Sequence, residues 1–116
     1  MQSEVEVDIY SGLPNPRFVL GAAQAAELER RIAALPPPLA NTGPRTGLGY
    51  RGVLVRDTGP FVDLVISAGT VTMRDRSGHV TQKSDPRREL ERWLIEAGAG
   101  HLQQGELEAI REELRR

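Results

Sequence analysis

Arginine, asparagine and tyrosine side chains gather in and between two glycine- and proline-rich segments, Ser11-Gly12-Leu13-Pro14-Asn15-Pro16 and Gly47-Leu48-Gly49-Tyr50-Arg51-Gly52. Asn15 lies in the first with Arg17 just after it, Tyr50 and Arg51 lie in the second, and Arg45 falls between the two. A guanidinium is a planar fork of donors that matches a carboxylate, an amide both donates and accepts, and a phenol ring offers an apolar face. Brought together around exposed backbone, these five residues would suit an extended peptide or a carboxylate-bearing ligand. The competing reading is that Tyr50 and Arg51 brace their loop against a sheet. The residue types alone allow both.

Other chemistry is thinly represented. Gly47-x-Gly49-x-x-Gly52 has the lettering of a dinucleotide-binding loop, whose glycines follow a strand and open a helix that holds the pyrophosphate. Here the glycines follow a loop and open a strand, so that mechanism is missing. His79 and His101 are far apart in sequence and have no metal-ligand spacing, and Asp57, Asp63 and Asp75 lack the loop pattern of a calcium site. No cofactor and no metal is expected. Ser11 and Ser67 adjoin glycines, but neither stands in a nucleophile elbow. Glu4, Glu6 and Asp8 would do acid–base work only if one were desolvated; a solvated or cross-strand-paired strand face is the simpler account. No residue is assigned a catalytic role.

Composition narrows the classes further. The chain has 116 residues, enough for one domain, and a formal net charge of -1, which leaves no electrostatic footprint for nucleic acid. Aromatics are only 4% of it, so Trp93, Phe18, Phe61, Tyr10 and Tyr50 weigh heavily, and Trp93 is expected in the core. There is no cysteine, which removes disulfides, thiolate metal sites and cysteine nucleophiles together. The first residues show no basic and apolar leader, and no run is long enough to span a membrane. A bacterial cytoplasmic protein is expected.

The elements that must carry the two segments follow from periodicity. Val5, Val7 and Ile9 alternate with acidic residues, which predicts a half-buried strand, and Arg17 to Leu20 predicts a short second one. Ala25, Leu28, Ile32 and Leu35 share one face of a helix over 22–35, stopped by Pro36-Pro37-Pro38. A loop runs to Gly49. Strands are then expected over 50–56, 61–67, 70–74 and 79–82, forming an antiparallel meander. Asp85-Pro86 reads as a capping carboxylate with proline at the first helical position. Leu90, Trp93, Leu94 and Ala97 mark that helix, and 106–116 forms a last one. The expected architecture is α+β: an antiparallel sheet of about five strands with two or three helices packed on one face.

The segments SGLPNP, followed by RFVL, and LGYRG, running into VLV, resemble those of a group of small bacterial and fungal proteins reading SG-x-PNP and LGYRG. The chain is also similar to the accessory proteins of crocagin-type ribosomal peptide pathways. That resemblance implies a peptide-binding, non-catalytic role in natural product biosynthesis. It rests on Ser11, Gly12, Pro14, Asn15, Pro16, Leu48, Gly49, Tyr50, Arg51 and Gly52, and departs at Leu13, where arginine is expected. The sequence is thus read as a non-catalytic peptide- or protein-binding module, with a sheet edge receiving the partner and a homodimer covering an otherwise open edge. The alternatives are a small enzyme acting on a peptide or metabolite through an isolated Asp8 or Asp63, and a structural subunit of an assembly.

Overall fold

A computed structural model describes residues 2–10, 12–38 and 50–115. Among the described residues the chain forms six strands and three α-helices: β1 (Glu4–Asp8), β2 (Arg17–Val19), α1 (Ala22–Ala33), β3 (Gly52–Thr58), β4 (Phe61–Ser67), β5 (Thr70–Asp75), β6 (Val80–Ser84), α2 (Glu89–Ala97) and α3 (Gln104–Leu114). All strands join one antiparallel sheet in the order β2-β1-β3-β4-β5-β6. The fold is α+β as expected. The sheet has six strands where about five were expected, and the short run expected after Pro16 pairs along its whole length with β1.

Register explains where the core sits. Val5, Val55, Leu64 and Met73 stand side by side across four strands, and Val7, Val53, Ile66 and Val71 form the next row. Because side chains alternate across a strand, both rows share one face. Leu28 and Ile32 of α1, Leu90, Leu94 and Ile95 of α2, and Ile110 and Leu114 of α3 are buried against it. Burying each such side chain contributes about 2 kcal/mol. The helices therefore lie on one side, and the opposite face carries Glu6, Leu54, Val65, Thr72 and Gln82 in a transverse row. Trp93 sits at the margin of this core, half-buried, with the Arg31 guanidinium 4.8 Å above its ring.

Two local details set helix positions. Asp85 precedes a single 3-10 turn, Pro86–Arg88, and its side chain makes no capping bond to that turn. Arg87 and Arg88 both take left-handed backbone angles, and α2 begins only at Glu89. The Asp85 carboxylate reaches across this turn to accept the N–H groups of Leu90 and Glu91 at 2.8 and 3.1 Å, so it caps α2 from farther away. Burial pushes its carboxyl up, against the opposing pull of those two N–H groups. Beyond α2, Gly98 lies against the Phe18 ring. A methyl group there would come within 2.1 Å of two ring carbons. This contact pins β2 to the C-terminal helices, with Phe18 stacked on His101 at 5.3 Å.

Candidate functional site

The two special segments meet at the end of β1. Asn15 turns its side-chain carbonyl back to accept the N–H groups of Ile9 and Tyr10 at 3.1 and 2.8 Å, and its amide donates to Glu6 at 2.8 Å. From the other side the Arg51 N–H donates to the Asp8 carbonyl. The Arg51 guanidinium reaches the Asp8 carboxylate at 2.8 Å and the Tyr10 carbonyl at 3.0 Å. Polar groups at the end of a strand need such partners once they leave water. Asn15 and Arg51 thus clasp the chain between Asp8 and Tyr10, with their polar groups turned inward.

Gly52 makes the second segment possible. Its φ is +140°, and a side-chain carbon there would lie 2.6 Å from the Ile66 carbonyl oxygen. No L side chain fits that approach. Tyr50, just before it, sends its hydroxyl to the Glu91 carboxylate on α2. Glu91 is fully buried and held by a two-pronged contact from Arg88 at 3.0 and 2.9 Å. Burial first, and the nearby Glu91 charge second, hold the Tyr50 hydroxyl far above its usual range. Tyr50 is therefore a strut between the segment that enters β3 and α2. Glu91 and Arg88 escaped the sequence reading; Arg and Glu three residues apart on a helix commonly pair in solvent, so the pattern gave no sign of burial.

Among the described residues of the expected set, Arg17 alone faces outward. It stands exposed on β2 with Glu4 at 3.7 Å and Glu6 at 3.4 Å. Asn15 first, and the nearby Arg56 and Arg17 charges after it, hold the Glu6 carboxyl below its usual range, although burial opposes this. Arg45 lies outside the described residues, as do Ser11, Gly47, Leu48 and Gly49. The carboxylates weighed as isolated acids are paired: Asp8 with Arg51, and Asp63 with Arg74 on the helix-free face. Among the described residues no cluster of three or more potential ligands is arranged to hold a metal ion, and no helix is long and apolar enough to cross a membrane.

What remains open is the rim of the sheet. Leu20 donates to the Ser3 carbonyl and Val7 donates to the Pro16 carbonyl, so Pro16, Phe18 and Leu20 turn their backbone groups toward β1. In an antiparallel ladder the intervening residues point the other way. The N–H and C=O of Arg17 and Val19 therefore face outward, where the described residues place no further strand. The loop that leads into β2 forms a shallow depression of about 510 Å³, walled by Tyr10, Leu13, Pro14, Pro16 and His101. Leu13 is 65% exposed there, a large apolar side chain turned largely to solvent. Tyr10 closes the far wall by donating its hydroxyl to Glu106.

No protein-family model, curated protein or solved structure matches this chain.

Proposed function

We propose that the protein is a non-catalytic binding module that takes an extended peptide or protein segment as an added strand along β2. The single observation behind this reading is the row of outward backbone groups on Arg17 and Val19, which follows directly in sequence on Pro16, a wall of the Leu13–Pro16 depression. Main-chain pairing on such an edge supplies affinity, and pockets beside it select side chains. Prolines and a half-buried tyrosine form a stiff wall that loses little entropy when a ligand settles on it. Arg17 adds a cation at the edge, suited to an acidic or carboxylate-bearing ligand residue. Asn15, Tyr50 and Arg51 serve this site indirectly, holding the loop and the strand end that shape it.

A role as an accessory factor in the biosynthesis of a ribosomally made, modified peptide accords with the SG-x-PNP and LGYRG resemblance. It is part of the same proposal. The enzyme reading has less support, because Asp8 and Asp63 are both neutralised by arginine.

The test is a calorimetric titration with peptides encoded beside the protein's own gene, repeated with Val19→Pro. The Val19 N–H faces away from β1, so proline removes an edge donor and leaves the β1–β2 ladder intact. Binding weakened at least tenfold by Val19→Pro is the expected result. Binding unchanged by Val19→Pro would refute strand addition at β2, and absence of binding to every peptide would refute the module itself.

A further inference from the structure

The opposite rim of the sheet carries a second row of unpaired backbone groups, with a different geometry. The Asp75 N–H donates to the His79 carbonyl, and the Ser84 N–H turns outward to the Pro36 carbonyl. Along β6, His79, Thr81 and Lys83 therefore pair inward with β5, while Val80, Gln82 and Ser84 point out. Ser84 is occupied by the Pro36 segment through its N–H and by Pro37 through its hydroxyl. The N–H and C=O of Val80 and Gln82 have no partner among the described residues.

We propose that a second copy of this chain pairs here, β6 against β6, about a two-fold axis at Thr81. Two-fold symmetry on an antiparallel edge requires the outward residues to match their own mirror order. Centring on Thr81 sets Val80 of each copy opposite Gln82 of the other, and each pair exchanges both of its N–H···O bonds. The N–H and C=O groups of Val80 and Gln82 are then all used, and Ser84 faces Gly78, the N–H groups of both being already engaged within their own chain. Centring on Gln82 would set Val80 against Ser84, whose N–H already serves Pro36. Centring on Val80 would set Gln82 against Gly78, whose N–H closes the hairpin turn onto Asp75. The two ends of the slot thus leave one register.

The edge chemistry also favours self-pairing. Proteins guard exposed edges with lysine, proline or bulges, and Val80-Thr81-Gln82 has none of these. Val80 is 53% exposed, and Thr81 would meet its own copy in the close, non-hydrogen-bonded position where threonine pairs are favourable. Lys83 does not spoil the approach, because its ammonium is held by the Ile32 carbonyl at the end of α1. By contrast β2 is only three residues long, bears Arg17 on its outward row and follows Pro16. Pairing through β6 would join two six-stranded sheets into one and leave a β2 edge free at each end.

The absence of cysteine makes the register directly readable. In a non-hydrogen-bonded antiparallel pair the Cα atoms are roughly 4.5 Å apart, within disulfide reach, whereas residues 80 and 80, or 82 and 82, would be separated by roughly 9 Å. Air oxidation of Thr81→Cys is expected to yield at least ten times more covalent dimer than Val80→Cys or Gln82→Cys. In sedimentation velocity the unmodified protein should rise with concentration from 12.8 kDa toward twice that mass. Gln82→Pro, which spares the β5 ladder, should remain monomeric. Equal cross-linking at all three positions, a monomer at every concentration, or a dimer unaffected by Gln82→Pro would each overturn the proposal.

Discussion

Replacing Asn15 by aspartate is the most discriminating perturbation of the loop clasp. The change is nearly isosteric and keeps an acceptor for the N–H groups of Ile9 and Tyr10, so the turn itself can persist. What it loses is the amide donor to Glu6, 2.8 Å away, where a second carboxylate oxygen would now stand. Glu6 is only 8% exposed, and the bond lost is one to a charged group, worth roughly 1.5–3 kcal/mol. Repulsion adds to this, while Arg56 at 3.1 Å and Arg17 at 3.4 Å from the other Glu6 oxygen offset part of it. The expected cost at neutral pH is about 3 kcal/mol.

The pH dependence separates this account from a simple loss of packing. In the wild type the Glu6 carboxyl is held below its ordinary 4.5, so its stabilising contribution is present above that value and disappears as the pH falls through its folded value. In Asn15→Asp two adjacent carboxyls share the site, and one of them is raised, as in any close carboxylate pair. The penalty is therefore full at neutral pH and shrinks on acidification, when a shared proton restores a hydrogen bond. Urea unfolding of both proteins between pH 7.5 and pH 4.5 should show the stability gap closing by half or more. A gap independent of pH, or no loss at pH 7.5, would refute the clasp.

Two further substitutions probe the second segment. Gly52→Ala should cost about 3 kcal/mol in urea or thermal unfolding, because the new methyl meets the Ile66 carbonyl and the φ is unfavourable; a near-neutral result would mean that the strand shifts freely. Tyr50→Phe should cost about 2 kcal/mol, since the hydroxyl bonds a buried carboxylate, and Tyr50→Phe in a Glu91→Gln background should cost measurably less. Additive losses in that cycle would break the link between β3 and α2.

The strand and helix order was legible in the sequence because period and punctuation are local. Alternation at Val5 and Val7, the proline stop after α1, and the glycines that end α2 each act within a few residues. After Asp85-Pro86 the chain makes a 3-10 turn and α2 itself starts three residues later than expected, because the Asp85 carboxylate caps it across left-handed Arg87 and Arg88, a geometry that Asp-Pro alone does not reveal. For the site, residue chemistry singled out two segments and left open whether they recognise or brace. That question turned on direction. Asn15, Tyr50 and Arg51 have the same hydrogen-bonding capacity in either role, and only the pairing of β1 between β2 and β3 turned them inward onto Ile9, Tyr10, Asp8 and Glu91. Likewise, backbone N–H and C=O groups are identical in every residue. Which of them lie open on β2 and β6 is decided by strand order and register, and those arise from long-range burial of one sheet face against three helices.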